Sequence, residues 1–124
     1  MNAKPSKVQT MSILVLINGI INILWGGLLA LLIIIGTIGI GLLCAPILIL
    51  PMVLGVVEII YALNLMAEPP KVNAPSMAIA ILEICSILFL NVFGVVVGVL
   101  SLVFINEEEV KSYFAGLEPP SSAG

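Results

Sequence analysis

The chain has 124 residues, 61% of them hydrophobic and only 9% charged, with a net charge of −3 and no histidine. A soluble domain carries roughly a quarter of its residues charged, and one this small has too little interior to hide so much apolar surface from water. The composition therefore excludes a water-soluble globular domain and leaves no room for a separate soluble module. The acidic balance, without a basic patch, excludes nucleic-acid binding.

Residues 1–10 are polar and basic, carrying Lys4 and Lys7, and read as a short free tail. The apolar run from Met11 to about Ile35 is longer than the core of a signal peptide, and no A-x-A cleavage site follows it. It is expected to be a retained membrane span over 11–35. Gly36, Gly39 and Gly41, with Thr37 among them, read as a tight turn. Pro46 and Pro51 punctuate the apolar sequence that resumes, each removing a helix donor. A second span is predicted at about 48–66, with 42–47 an irregular lead-in. The segment AEPPKVNAP at 67–75 is a loop, because its prolines stop helix and Glu68, Lys71 and Asn73 want water.

The stretch from Ser76 to Ile105 is harder to read. It holds 30 residues. A single straight helix would be about 45 Å long, against a hydrocarbon core of about 30 Å, whereas two helices broken at Asn91 would reach only about 22 Å each. The lysines favour two. Short Lys-bearing loops sit on the cytoplasmic side. The 1–10 tail and the 67–75 loop are separated by two spans and so share a side. Lys111 joins them only if 76–90 and 92–105 are separate spans, with a tight turn around Asn91 and Gly94 near the outer face. The expected architecture is an all-α integral membrane protein of the cell membrane. It is an antiparallel four-helix bundle over 11–105 with both termini cytoplasmic.

After the last span, Asn106 with Glu109 makes a variant of the capping box, and Glu107, Glu108 and Glu109 suit a helix N-terminus. Val110, Tyr113, Phe114 and Leu117 recur at helical spacing. A short amphipathic surface helix is predicted over 106–117, packed partly on the protein itself because its acidic face does not attract anionic lipid. Residues 118–124 read as a disordered tail.

The few polar residues inside the spans form a pattern. Counted inward from the cytoplasmic ends, Asn18, Glu58, Glu83 and Gly98, with Ser101 near it, all lie roughly 12 Å deep by helical rise. Each span carries a small or polar stripe: Asn18, Asn22 and Gly26; Gly55, Glu58 and Ala62; Ser76, Ala80 and Glu83; Gly94, Gly98 and Ser101. Small residues let membrane helices approach and polar ones bond between them, so all four stripes are expected to face inward. Glu58 and Glu83 lie at one depth on consecutive antiparallel spans and are expected to be neighbours; nothing cationic lies in the spans to pair with them, so at least one is expected to be protonated. It would bond to the other, or to Asn18 or Asn22.

Two functions fit this layer. In the first, the polar residues set helix register, and the protein works through helix–helix association as a homo-oligomer or an accessory subunit. In the second, Glu58 and Glu83 bind and release protons or a cation in a small transporter or channel, since an intramembrane carboxyl marks a functional site. An enzyme is not expected. There is no histidine base, no metal-ligand cluster and no phosphate loop, Ser86 and Ser101 have no base in their spans, and no cofactor is implied. Cys44 and Cys85 read as two buried apolar thiols.

The phrases LINGIINILWGG (16–27), PMVLGVVEIIYAL (51–63) and VGVLSLVFINEEEVKSYF (97–114) resemble small bacterial four-span membrane proteins of uncharacterised families, over about residues 10–117. The first span also resembles that of the animal membrane-spanning four-domain family, which contains the B-lymphocyte surface antigen, though the large extracellular loop of that family is missing. The resemblance implies a compact tetraspan, an oligomer or an accessory to a larger membrane complex, and offers no catalytic residues.

Overall fold

The computed structural model describes residues 3–117, which are helical with no strand among them. The tail predicted at 118–124 lies outside the described residues. Helix α1 runs Ser6–Gly36, 31 residues. It begins inside the segment expected to be a free tail, because Val8 and Met11 are buried there against the C-terminal helix. Lys4 is also held: its Nζ donates to the carbonyls of Leu65, Met66 and Ala67 at 2.9–3.0 Å. Those are carbonyls that a helix end leaves without an amide partner, and the Lys4 side chain is only 3% exposed as a result.

The chain reverses through Ile38 (φ 54°) and Gly39 (φ 87°). A 3-10 turn at Ile40–Cys44 leads into α2, Ala45–Leu48, and α3, Leu50–Met66. Pro46 and Pro51 each occupy the first turn of their helix, where a missing N–H costs nothing. The stretch expected to be an irregular lead-in is thus coiled, and Ile40–Met66 is one apolar run of 27 residues. Ser6–Gly36 and Ile40–Met66 are the two helical runs long and apolar enough to cross a membrane.

Beyond the 67–75 loop come α4, Met77–Cys85, a 3-10 continuation Ser86–Phe89, and α5, Val92–Ile105. Ser76 caps α4 by accepting from the Ile79 N–H at 3.2 Å. These two arms are short, about 20 Å each by helical rise. Their tip is pinned to the middle of α1. Trp25 Nε1 donates to the Phe89 carbonyl at 2.8 Å, and Asn91 bonds to Asn18 and Asn22. From Trp25, α1 continues to Gly36, about 16 Å further. The tip of this hairpin therefore lies well short of the turn between α1 and α3. Arms of this length cannot match α1.

Packing follows the small residues. Helix α1 lies along α3, α4 against α5, and α1 also touches α5, whereas the backbones of α3 and α4 barely approach. The square of four helices is closed between α3 and α4 by side chains, through the Tyr61–Ser76 hydrogen bond and the Glu58–Glu83 pair. A Cβ on Gly55 would stand 2.5 Å from the Gly19 carbonyl oxygen, and one on Gly98 would stand 2.6 Å from that of Ala80. Gly26 sits against Pro51 and Met52. Gly26, Gly55 and Gly98, expected to pack helices, do so within one chain.

Helix α6, Glu108–Leu117, folds back across the end where α1 starts. Val110, Tyr113 and Phe114 are buried in a cluster with Val8, Met11, Val15 and Leu65. Lys7 Nζ meets Glu107 at 2.5 Å and Glu109 at 3.4 Å. Its hydrogen bond to Glu107 holds the Lys7 ammonium above the usual lysine value of 10.5. Asn106 does not start α6. It closes α5, its Nδ2 donating to the Leu102 carbonyl at 2.7 Å. Lys111 shares a cavity with Asn73 and Pro75, and Lys71 belongs to that same loop, so all four lysines gather at one end.

The outer surface is apolar. Leu24 is 69% exposed, Ile35 72%, Leu43 84% and Leu88 81%. Cys44 and Cys85 belong to this surface and are exposed, not buried as expected. The interior of the α1–α3 and α4–α5 seams is already filled by glycine, alanine and polar side chains.

Candidate functional site

Where the short hairpin ends against α1, four helices contribute to one buried polar cluster. Asn18 and Asn22, one turn apart on α1, present their amides to the same side. Asn18 Nδ2 donates to Glu58 Oε1 at 2.8 Å and Asn22 Nδ2 to Glu58 Oε2 at 2.7 Å. Their carbonyl oxygens accept from Asn91 Nδ2, at 3.2 Å and 2.5 Å respectively. Asn91 Oδ1 accepts from the Gly94 N–H at 3.0 Å, capping α5. The donors therefore run in one direction, from the N-terminus of α5 through three amides to Glu58.

Glu83 on α4 completes the cluster. Its carboxyl neighbours that of Glu58. Both glutamates are fully buried, yet neither oxygen of Glu83 receives a donor. Each oxygen of Glu58 accepts one N–H group, and Glu83 accepts none. Two carboxylates only accept, so a single proton on Glu83, donated to Glu58, satisfies both. The remaining titratable neighbour is Tyr61, whose hydroxyl accepts from the Ser76 N–H at 2.8 Å. No lysine reaches the cluster, since all four lie at the α6 end.

Of the residues expected in the layer, Asn18, Asn22, Glu58 and Glu83 come together. Gly94 lies against Ser86, Asn91 and Asn18. Ser101 is buried but has no hydrogen bond to the cluster, because it lies about 15 Å along α5 from Asn91. Gly26, Gly55 and Gly98 pack helices without touching the carboxyls. Asn91 and Ser86 are the residues the sequence reading missed. Ser86 Oγ reaches the Glu83 and Asn91 carbonyls. An isolated Asn in an apolar run was the available signal for Asn91; its role as a turn residue masked it. Among the described residues no group of His, Cys, Asp and Glu can hold a metal ion.

Comparison with known proteins adds no relative: no family model, no curated protein and no solved structure matches the chain.

Proposed function

We propose that this is an integral membrane protein that exchanges a proton at the Glu58–Glu83 pair, as a small transporter. The membrane reading is supported by the exposed apolar surface, far larger than the few hundred Å² patches of soluble monomers, and by the two long apolar runs. In this reading α1 and Ile40–Met66 cross the bilayer, and both termini are cytoplasmic, on the side of the lysines. The α4–α5 hairpin enters from that side and turns inside the hydrocarbon layer. Irregular backbone at that depth is tolerated only where protein covers it, and Asn91, Ser86 and Trp25 supply that cover.

The observation that carries the function is Glu83, fully buried with both oxygens lacking a donor. A polar plug that merely sets helix register is stable when every member is satisfied. Glu83 finds a partner only by holding a proton for Glu58, and a proton held between two carboxyls is one that can be exchanged. Association with a partner is the second reading, but its packing glycines are engaged within the chain.

The test is proton flux. Purified protein in liposomes carrying a trapped pH dye should dissipate an imposed gradient, and Glu83→Gln or Glu58→Gln should reduce the rate at least tenfold. Unmutated protein that carries no flux and takes up no proton would overturn the reading.

A further inference from the structure

Resting on that reading, we propose that Tyr61 is the relay through which Glu83 exchanges its proton with water at the end where the lysines gather. The first observation is a pair of complementary unfilled groups at the seam between α3 and α4. The Tyr61 hydroxyl accepts from the Ser76 N–H at 2.8 Å. A phenol also donates, and its proton has no acceptor among the described residues. Glu83 has the opposite want: both of its oxygens are buried and neither receives a donor. With a proton on one oxygen held for Glu58, the other still lacks a donor. Buried polar groups left over in this way are ordinarily joined by ordered water. Tyr61 is the group placed to supply the missing donor. Glu83 lies within its electrostatic reach. The Asn18 and Asn22 amides are aimed at Glu58, and the Asn91 amide at those two. Ser86 Oγ donates to the backbone carbonyl of Glu83, not to its carboxyl.

The second observation is the order of exposure from the 67–75 loop inward. Ser76, which caps α4 at that loop, is half-buried. Tyr61 is 7% exposed and Glu83 is fully buried. Ser76, Ala80 and Glu83 recur at spacings of four and three and so share one face of α4. Ala80 on that face is buried in the same cluster as Tyr61. About 10 Å of helical rise separates Ser76 from Glu83. Side chains lean toward a helix N-terminus, which turns the Glu83 carboxyl back toward Ser76, and Tyr61 reaches into the interval from α3. The hydroxyl and the carboxyl are not bonded directly, so a water carries the proton between them.

The step balances. An acid in the water at the loop gives a proton to the second lone pair of the Tyr61 oxygen. Tyr61 passes its own proton to the bridging water, and that water passes one to the Glu83 carboxylate, which then donates to Glu58. The phenol is neutral before and after, and release runs the same way in reverse. The groups facing the pair are Asn18 and Asn22 from α1, Asn91 from the start of α5, Ser86 on the α4 side and Tyr61 on α3. None of them is charged, so the pair carries the titration and Tyr61 sets its rate.

The full chain in phosphatidylcholine nanodiscs is mixed to lower pH in weak buffer, and proton uptake is followed with a pH dye. Tyr61→Phe keeps the ring and removes the hydroxyl. It should slow uptake at least tenfold, with the number of protons taken up and the midpoint pH unchanged. A residue that only anchored the start of α4 would shift the midpoint or the amplitude and leave the rate alone. A second measurement does not depend on that variant folding. The chain has two tyrosines, so Tyr113→Phe leaves Tyr61 as the single one. In that background the infrared difference spectrum of the pH jump should show a change in the phenol C–O band, and adding Glu83→Gln should remove it. Uptake as fast in Tyr61→Phe as in the unmutated protein, or a phenol band that does not respond to the jump, would overturn the relay while proton exchange at the pair stands. If the unmutated protein takes up no proton, both fall.

Discussion

The α1–α3 hairpin and the α4–α5 hairpin solve the same problem with different materials. The first is long and joined by backbone contact, with Gly19 and Gly55 facing each other and Gly26 against Pro51. The second is about half as long. It also uses a glycine, Gly98 on Ala80, but its tip is fastened by polar bonds, through Asn91, Ser86 and the Trp25–Phe89 contact. A long helix pair can bury its backbone groups within regular helix all the way to its ends. A short one that turns among apolar surroundings must satisfy its turn with side chains. The polar cluster is therefore found where the short hairpin stops, and it brings two carboxyls along.

The comparison is broken most severely at Gly55. Leucine there would collide with the Gly19 backbone, so Gly55→Leu should cost about 3 kcal/mol or more. Gly36→Leu, on the same hairpin but with open space around its Cβ position, should cost far less. Unfolding of both variants in detergent measures the contrast, and equal losses would deny that the long hairpin depends on backbone contact.

A smaller effect sharpens the account of the short hairpin. Asn91→Ala removes the cap of α5 and leaves two buried amide oxygens without a donor, a loss of about 2–3 kcal/mol. In a background with Cys44 and Cys85 replaced by Ser, a cysteine substituted for Leu90 should resist a membrane-impermeant maleimide from both sides, while Ile38→Cys should react from the outer side. Ready labelling of Leu90→Cys from outside would restore four full crossings.

The smallest effect concerns the end where both hairpins meet α6. Lys7→Met should speed hydrogen exchange across 108–117 a few-fold without unfolding the bundle, since exposed ion pairs contribute little and are screened by salt. The Lys7 ammonium is held above 10.5 by Glu107. Its contribution is thus fully present below about pH 10.5 and is lost as pH rises through the raised value. Exchange that stays the same across that range would show that the apolar stripe alone docks α6.

Several features were legible in the order of residues. Apolar run length, prolines and turn glycines locate the helices to within a few residues, because those signals are local. The stripe of Val110, Tyr113 and Phe114 announces a docked helix for the same reason. The carboxyls could be singled out without any structure, since a glutamate in an apolar run stands out by its cost alone. Other features depend on which helix lies beside which. Lys4 belongs to a free tail until the end of α3 is placed next to it, and Asn106 reads as a start until α5 claims it as an end. The lysines suggested an outer-face turn at Asn91, but they speak only to sides and not to how far the short arms reach along α1. Only the packed chain decided that the short hairpin stops at the middle of α1, that Asn91 supports Asn18 and Asn22, and that Glu58 takes both of their donors while Glu83 takes none. Hydrogen-bond partners far apart in sequence are chosen by packing geometry, and no local pattern encodes that choice.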